Sequence, residues 1–354
     1  MWRTALVVPT IRPDSLRRFR REWEGAGWDD VIVVYDGPRS ECRLDSSGAQ
    51  VYCWDDYEAL HGDSAWIFTR RDSACRCFGF LQAVARGADV VFTLDDDCYP
   101  AEPWGPRAFV SAHLRRLEAA PRWISSVPGL GVRGLPPEGE ELHAGGPPVL
   151  VNMGLWSGVA DLSAADSAAI LERGGREESP LSGFVPPRGT RVMSPRQVFP
   201  LSGMNVAFRS TALPALYFPR MGSGSPYSRF DDIWCGLMLQ RICAATGDLI
   251  TVGEPWVRHD RASDVRENLR KEAPGAAVNQ RYWRTVSGLP LEGGGLAECA
   301  LSAARTLAAC DEPYLEGWGR ALAVWIRLCG EAARSPGRES AALPAPGRAA
   351  RPRS

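Results

Sequence analysis

The first hundred residues alternate short apolar runs with segments of helical periodicity. Apolar runs at 4–8, 31–35 and 90–94 predict three strands, each closed by turn-forming or acidic residues. Segments 14–23 and 73–86 carry apolar side chains three and four positions apart, which predicts helices between those strands. In the second of these helices, Ser73 is the expected N-cap. Strands that alternate with helices in this way indicate an α/β fold.

The remainder of the chain predicts a continuing sheet followed by helices. We expect helices at 107–119, 163–171 and 232–245, strands at 199–208 and 250–257, and loops at 128–148 and 174–196. Apolar positions between 296 and 333 indicate two further helices, broken around 311–313. Residues 335–354 are mostly Pro, Ala and Arg, which is typical of a disordered tail. The expected organisation is a catalytic domain at 1–270, a helical extension at 271–333 and a tail at 334–354.

Composition excludes several classes of protein. The 41 Lys and Arg and the 42 Asp and Glu give a net charge of −1, which argues against non-specific nucleic-acid binding. No apolar run approaches the ~20 residues that span a bilayer, so we expect no membrane insertion. Ten cysteines without a CxxC pair fit reduced thiols in the cytoplasm better than disulfides or structural zinc. No GxGxxG follows a predicted strand, so neither a flavin nor NAD is expected.

Three consecutive aspartates follow the apolar run at 90–94 and are the most informative feature of the chain. In extended backbone, Asp95 and Asp97 would project to one side and Asp96 to the other. Neighbouring carboxylates repel unless a cation lies between them, and Mg²⁺ held in this way often binds a substrate phosphate as well. An exposed acidic turn is the alternative. His259 follows the strand at 250–257 and is either a metal ligand or a structural histidine.

Two other polar clusters lie at predicted helix starts. Arg71, Ser73 and Arg76 surround the start of the 73–86 helix, where N–H groups and guanidiniums could bind a diphosphate or form a solvated basic cap. Asp231 and Asp232 begin the 232–245 helix. They either stabilise the start of the helix through its dipole or contact the substrate. In the second case Asp232 would bind sugar hydroxyls or act as a base.

The remaining candidates have equally plausible structural roles. Gly203 and Asn205 could bring backbone close to a ligand or belong to an ordinary turn. Trp156 and Trp234 could stack on a sugar or fill the core. Functional residues of open α/β sheets gather at the carboxyl ends of strands. The candidates at such ends are Pro9, Thr10 and Asp36.

Taken in chain order, these segments resemble the reversibly glycosylated polypeptides. The resemblance covers about residues 4–270, and its most specific runs are DSACRCFG at 72–79 and DDDC at 95–98. Further matching runs are VVPTIR at 7–12, DG at 36–37, VRG at 132–134, GLW at 154–156, GMN at 203–205, DDIW at 231–234 and His259. It implies a GT-A-like, Rossmann-like mixed sheet flanked by helices. It also implies a UDP-arabinopyranose mutase, which interconverts pyranose and furanose nucleotide sugars with Mn²⁺ or Mg²⁺ and no flavin.

The resemblance also implies roles for individual residues. Asp95, Asp97 and His259 would bind the metal ion. The candidate catalytic residues are Arg133, Asp232 and Asp96. The candidate substrate contacts, with the nucleotide base near 9–12 and Asp36, are Pro9, Thr10, Arg12, Asp36, Arg71, Ser73, Arg76, Trp156, Gly203, Asn205 and Asp231.

One departure from the family affects the expected chemistry. Family members carry two arginines in the loop after the middle helix, and one of them becomes glycosylated. The second resembles Arg133, whereas residues 126–130 hold no arginine. A covalent glycosyl-arginine therefore stays open, and we expect Arg133 to steady phosphate or sugar.

Three functions remain to be distinguished. The first is a mutase acting on a UDP- or GDP-linked sugar, and it is favoured. The second is a metal-dependent glycosyltransferase that uses the same donor. The third is a nucleotide-sugar-binding subunit of an active paralogue. A homo-oligomer is compatible with all three.

Overall fold

The computed structural model describes residues 2–44, 48–118, 148–174, 185–198, 200–260 and 263–334, and within these ranges nine strands form one mixed sheet. In chain order the strands are β1 (Thr4–Thr10), β2 (Asp30–Tyr35), β3 (Gln50–Tyr52), β4 (Val90–Leu94), β5 (Cys98–Pro100), β6 (Val149–Gly158), β7 (Arg191–Val192), β8 (Asn205–Arg209) and β9 (Leu249–His259). The helices are α1 (Pro13–Glu22), α2 (Trp54–His61), α3 (Arg76–Ala85), α4 (Pro106–Arg116), α5 (Ala164–Gly174), α6 (Asp231–Thr246), α7 (Val265–Ser287), α8 (Leu296–Ala308) and α9 (Pro313–Arg334).

The sheet has a parallel half and a mixed half. Its order is β3-β2-β1-β4-β8-β6-β9-β5, and β7 also pairs with β9. Strands β3, β2, β1 and β4 are parallel, β8 is antiparallel to β4 and β6, and β6 is parallel to β9. The predicted α/β fold with a Rossmann-like mixed sheet is confirmed.

This topology collects several chain ends at one edge of the sheet. The carboxyl end of β4 lies beside the amino end of β8, because Leu94 pairs with Asn205. Gly158, at the end of β6, pairs with His259, at the end of β9. Residues that follow β1, β4, β6 and β9, or that precede β8, therefore face the same region.

Several predicted elements differ in detail. The chain enters α3 through a 3₁₀ turn, Ser73–Cys75. The N-cap of this turn is Asp72 rather than the predicted Ser73, because the Asp72 carboxylate accepts a hydrogen bond from the Ala74 N–H at 3.2 Å. The strand expected at 199–208 begins only at Asn205. Most of the loop expected at 128–148 and the whole tail at 335–354 lie outside the described residues.

The two C-terminal helices are confirmed, and they pack onto the main core. Trp325 of α9 is fully buried, and its indole N–H donates to the Leu213 carbonyl at 2.9 Å. Helix α7 runs across position 270, and the division into a domain at 1–270 and an extension stays a prediction. None of the described helices is long and apolar enough to cross a membrane. The ten cysteines are free thiols, as expected.

Candidate functional site

A polar cavity of about 190 Å³ lies at the sheet edge where these chain ends meet. It brings together eight of the residues predicted from the sequence, which are Arg12, Ser73, Arg76, Asp95, Asp97, Asp231, Asp232 and His259. They come from segments far apart in the chain, and the strand order alone makes them neighbours. The cavity is therefore the candidate site.

Arg76 is the buried centre of the cavity wall. Its side chain is 2% exposed, and Nη2 donates to Asp95 Oδ1 at 2.5 Å. The other donors bind the Ser73 carbonyl, the Thr93 hydroxyl and the Gly203 carbonyl. Desolvation raises the pKa of Asp95, but the charge and hydrogen bond of Arg76 outweigh it, so this pKa lies below its ordinary value. Arg76 thus holds Asp95 ionised and in place.

The backbone at Gly203 must approach this guanidinium closely. A Cβ at position 203 would lie 2.9 Å from Arg76 Nη1 and 3.2 Å from the Phe218 ring. The Gly203 N–H also donates to Asp232 Oδ2 at 2.9 Å. Gly203 therefore supports Arg76 and Asp232 from behind the cavity, and its expected approach to a ligand stays a prediction.

The middle aspartate of the trio points away from the cavity. Asp96 is 2% exposed and accepts hydrogen bonds from the Thr10 hydroxyl, at 2.5 Å, and from the Arg12 guanidinium. Asp97 lies on the cavity side, with Arg12 Nη2 at 3.4 Å from its Oδ2. Asp95 and Asp97 thus lie on the cavity side and Asp96 on the other, as predicted, but the backbone at 95–97 is a turn rather than extended, with the Cys98 N–H donating to the Asp95 carbonyl. Asp96 anchors the loop after β1.

His259 presents one defined nitrogen to the site. Its Nδ1 lies 2.9 Å from the Val159 carbonyl oxygen. Because a carbonyl can only accept, Nδ1 carries the hydrogen, and in the neutral ring Nε2 keeps its lone pair. A backbone carbonyl that fixes the tautomer in this way is common behind metal-ligating histidines.

Asp231 and Asp232, at the start of α6, lie close to a third carboxyl group, that of Asp72. Asp231 is 1% exposed and accepts a hydrogen bond from the Ser73 hydroxyl at 3.1 Å. Burial and the neighbouring Asp72 raise the pKa of Asp231 to about 7, and burial raises that of Asp72 to about 6. Burial and Asp231 also raise the pKa of Asp232 well above its ordinary value. Asp231 and Asp72 can therefore hold or release a proton near neutral pH.

Eleven of the described lining residues were not predicted from the sequence, and four of them form ion pairs or hydrogen bonds with one another: Asp161, Ser202, Arg229 and Glu272. Asp161, which follows β6, accepts a hydrogen bond from the Ser202 hydroxyl at 2.9 Å, and burial raises the pKa of Asp161. Arg229 donates through Nε to Glu272 Oε1 at 2.9 Å and has a φ of 65°. Ser202 and Arg229 adjoin predicted positions, so a wider sequence window would have included them. No local pattern marks Asp161 or Glu272.

Other predicted contacts lie beside or beneath the cavity. Asn205 is fully buried, and its amide donates to the Leu155 and Pro255 carbonyls at 2.8 and 3.1 Å. These contacts are structural, and its substrate role stays a prediction. Trp156 packs against the hydrophobic core and is not among the described lining residues, and Trp234 is fully buried, as its core alternative predicts.

The candidate base-binding residues form a separate group at the ends of β1 and β2. The Asp36 carboxylate accepts hydrogen bonds from the Trp54 indole at 2.8 Å and from the Arg71 N–H at 2.9 Å. The Asp36 N–H donates to the Thr10 carbonyl, which follows Pro9. None of these residues lines the described cavity. Arg133 lies outside the described residues.

Asp95, Asp97 and His259 have side-chain atoms that can bind a divalent cation, although the three side chains do not surround a common point. Among the described residues, no three His, Cys, Asp or Glu side chains are placed to hold an ion as they stand. Asp95 and Asp97 instead contact Arg76 and Arg12. Two carboxylates are ligands that Mn²⁺ and Mg²⁺ both accept, an imidazole Nε2 suits the transition metal Mn²⁺ better, and all three side chains border one cavity.

The charge of the cavity bears on what can enter it. Among its described lining residues are six carboxyl side chains and three arginines. Partly protonated carboxyls can bind sugar hydroxyls, whereas a diphosphate would meet repulsion from the ionised ones. A sugar diphosphate therefore fits best with a counter-cation.

Comparison with known proteins agrees with the resemblance noted from the sequence. The profile of the family described as reversibly glycosylated polypeptide matches residues 3–333, so the match extends beyond 4–270 into the C-terminal helices. "Probable UDP-arabinopyranose mutase 1" of Solanum tuberosum is 30% identical, covering 92% of this chain and 90% of its own.

Two further relatives show the same extent of similarity. "UDP-arabinopyranose mutase 3" of Arabidopsis thaliana is 30% identical over 95% of this chain and 93% of its own. "UDP-arabinopyranose mutase 1" of Oryza sativa subsp. japonica is 30% identical over 92% and 90%. All three relatives are named as mutases, which is the enzyme class predicted from the sequence. With a profile match over nearly its whole length, this chain belongs to the reversibly glycosylated polypeptide family.

Proposed function

We propose that the protein is a nucleotide-sugar mutase that interconverts the pyranose and furanose forms of a UDP-linked sugar. The observation that carries this proposal is the cavity itself, in which Asp95, Asp97 and His259 face Asp231 and Asp232. The names of the relatives support a UDP-sugar, and UDP-arabinopyranose is the first substrate to test.

In this mechanism the exposed arginines bind the diphosphate. The side chains of Arg12 and Arg229 are 35% and 37% exposed at the cavity, whereas Arg76 is buried and already binds protein acceptors. Arg12 and Arg229 would stabilise negative charge as the bond between sugar C1 and the diphosphate oxygen breaks. Arg76 positions Asp95 rather than contacting the substrate.

The acids of α6 would manage the proton of the sugar. After the bond between C1 and the diphosphate breaks, a sugar hydroxyl attacks C1 and loses its proton. The original bond between C1 and the ring oxygen then breaks, that oxygen takes up a proton, and the returning diphosphate bonds to C1. Asp232 lies on the cavity wall, and burial raises its pKa, which makes it a stronger base for the hydroxyl proton than an exposed carboxylate. The reaction is redox-neutral, so it needs no electron carrier.

A divalent cation, Mn²⁺ or Mg²⁺, is part of this proposal. Asp95, Asp97 and His259 would hold it, and when bound it would neutralise charge on the diphosphate leaving group. Calorimetric titration of chelator-treated protein with Mn²⁺ tests the ligand set. We expect one site that His259→Ala weakens roughly tenfold or more, while His61→Ala, on α2 outside the cavity, leaves it unchanged. Equal affinities in all three proteins would exclude His259 as a ligand.

The activity is tested directly with UDP-arabinopyranose and Mn²⁺, followed by NMR of the sugar ring. We expect UDP-arabinofuranose to accumulate to a constant ratio with no loss of UDP-sugar, and Asp232→Asn to slow this at least 100-fold. Release of free UDP only when an acceptor is added would indicate a glycosyltransferase instead. Tight binding without any conversion would indicate a binding subunit.

A further inference from the structure

One carboxylate joins two parts of the cavity wall. The side chain of Glu272, on α7, is 14% exposed, and both of its oxygens accept hydrogen bonds. Oε1 accepts from Arg229 Nε at 2.9 Å, and Oε2 accepts at 2.7 Å from the N–H of Ala164, the first residue of α5. All three residues line the cavity. A single carboxylate therefore fixes an arginine and the start of a helix relative to α7.

The contact with Glu272 decides which edge of the Arg229 guanidinium is left for a ligand. It engages Nε, and within the part of the chain that the structure describes neither Nη1 nor Nη2 has a hydrogen-bond acceptor. The two Nη groups form the fork with which an arginine binds two oxygens of one phosphate group. Glu272 thus binds the side of the guanidinium and leaves its end to the cavity.

The backbone of Arg229 is fixed as well. Its φ of 65° lies in the left-handed region, which costs free energy for a residue with a Cβ. The preceding residue, Ser228, donates through its hydroxyl to the Asp72 carboxylate at 3.1 Å, and the following residue, Phe230, is buried. Such strain persists where surrounding contacts enforce it, and it is concentrated at functional sites. The flanking residues fix where the side chain of Arg229 starts, and Glu272 fixes where it ends.

An arginine that is already held in place binds a ligand with a smaller loss of rotamer freedom. Without Glu272, the guanidinium of Arg229 could also turn toward Asp161 or Asp232, the other carboxyls whose charges act on it. The inference rests on the proposed function, in which Arg229 binds the diphosphate. We propose that Glu272 is a positioning residue that directs the two Nη groups of Arg229 toward the diphosphate.

The charge of Glu272 and its positioning effect act in opposite directions on a bound diphosphate. The carboxylate repels an anion nearby, and any neutral replacement removes that repulsion. Glu272→Gln and Glu272→Ala are both neutral, but only the glutamine keeps an oxygen that can accept from Arg229 Nε. The charged donor should take that oxygen in preference to the backbone N–H of Ala164, because charge-assisted hydrogen bonds are stronger. The ratio of the two dissociation constants therefore reports the contact without the charge.

Calorimetric titration with UDP in the presence of Mn²⁺ measures this ratio. We expect Glu272→Ala to bind UDP about three- to tenfold more weakly than Glu272→Gln. Combined with Arg229→Met, which removes the guanidinium, the two variants should bind UDP within about twofold of one another. Glu267 is the control on the same helix, because its side chain is 43% exposed and pairs on the surface with Arg270 and Lys271. Glu267→Gln and Glu267→Ala should bind UDP alike.

A second comparison keeps the negative charge and does not depend on the folding of the alanine variant. Glu272→Asp is shorter by one methylene, so its carboxylate cannot reach both donors, and it should bind UDP about threefold more weakly than the wild-type protein. Equal affinity of these two proteins, or of Glu272→Gln and Glu272→Ala, overturns the positioning role. A ratio that persists with Arg229→Met also overturns it, since Glu272 would then act through α5.

The same titrations separate this inference from the proposed function. If the wild-type protein does not bind UDP, both are wrong. If UDP binds with the expected ratios but UDP-arabinopyranose is not converted, the positioning role of Glu272 holds and the mutase activity is wrong. If conversion occurs while the ratios stay near one, the mutase activity holds and the positioning role is wrong.

Discussion

At the scale of single residues, the candidate site depends on a few buried charges whose partners come from distant parts of the chain. Arg76 is the clearest case, because its guanidinium binds Asp95 and two backbone carbonyls. A buried charge left without its partner is costly, whereas an exposed ion pair contributes little. Burial therefore decides which arginines matter for stability.

Replacing Arg76 should destabilise the fold as well as the site. Arg76→Met leaves the Ser73 and Gly203 carbonyls without their donor, whereas Asp95 is 34% exposed and can be hydrated, so we expect the free energy of unfolding to fall by about 2–3 kcal/mol. Arg17→Met is the matched control, because Arg17 is 74% exposed and pairs only with Asp14 on the surface. Urea denaturation measures both. A loss at Arg76 no larger than at Arg17 would contradict this account of the cavity wall.

The acids near α6 should make stability depend on pH. The pKa of Asp231 is raised to about 7 and that of Asp72 to about 6, so the native state holds protons that the unfolded state has released. Stability should therefore fall as pH rises from about 4 to about 7, by roughly 1 kcal/mol per pH unit for each extra proton. Asp231→Asn mimics the protonated form and should flatten that slope.

The control for this pH dependence is Asp14→Asn, since the Asp14 side chain is 89% exposed. Urea unfolding at pH values between 5 and 8 compares the three proteins. We expect Asp14→Asn to keep the wild-type slope. An unchanged slope in Asp231→Asn would show that its carboxyl is ionised throughout this range in the native protein.

Site residues can be predicted from the sequence where a local pattern marks them. Those that reach the site only through the tertiary fold cannot. The trio at 95–97 and the acids Asp231 and Asp232 stand directly beside predicted elements, so they could be found without a structure. Asp161 and Glu272 join the site only through the pairing of β6 with β9 and the position of α7, which no local pattern encodes. Asn205 is a substrate candidate through the GMN run at 203–205, of which only Met204 lines the described cavity.

At the scale of elements, apolar runs in the sequence predict most of the strands. Two kinds of element were not predicted: a strand that buries a polar side chain, and a helix that is mostly exposed. Strand β6 carries Asn152 at a fully buried position, where His113 and the Glu254 carbonyl satisfy its amide. Helix α7 has few buried positions and contains Pro274, so its apolar periodicity is weak. Both elements line or support the cavity, and their omission explains why its far wall was not foreseen.

The buried polar chain beneath the cavity should hold the strands in register. His113 connects Asn152 to Asn205, whose amide binds the carbonyls of Leu155 and Pro255. We expect Asn205→Ala to lower the free energy of unfolding by about 2–3 kcal/mol, because it strands these buried groups. The affinity of the protein that remains folded for UDP-sugar should change less than about threefold.

Ser73→Ala provides the opposite case. Ser73 lines the cavity and its hydroxyl donates to Asp231, so its loss should lower the free energy of unfolding by about 1 kcal/mol, less than Asn205→Ala, while weakening UDP-sugar binding by about three- to tenfold. Thermal unfolding and calorimetric titration of the two variants separate the roles. Weaker binding in Asn205→Ala than in Ser73→Ala would return Asn205 to the substrate site.

At the scale of the whole molecule, one hydrophobic cluster joins the sheet to the C-terminal helices. It contains Val7 of β1, Trp234 of α6 and Trp325 of α9, all fully buried. Helix α7 continues without a break across position 270, where the sequence suggested a boundary. A shared core and a continuous helix favour unfolding of both parts together.

We therefore expect one cooperative thermal transition for the whole chain. Trp325→Ala removes a fully buried ring and its hydrogen bond to Leu213, so it should lower the free energy of unfolding by about 3–5 kcal/mol and shift the entire transition. Trp66→Ala, at a residue 42% exposed, should shift it far less. Calorimetry with near-ultraviolet circular dichroism distinguishes the alternatives. If Trp325→Ala instead splits the transition, so that the helices melt first while the sheet keeps its wild-type midpoint, the C-terminal helices are a separate domain and the shared cluster does not couple them.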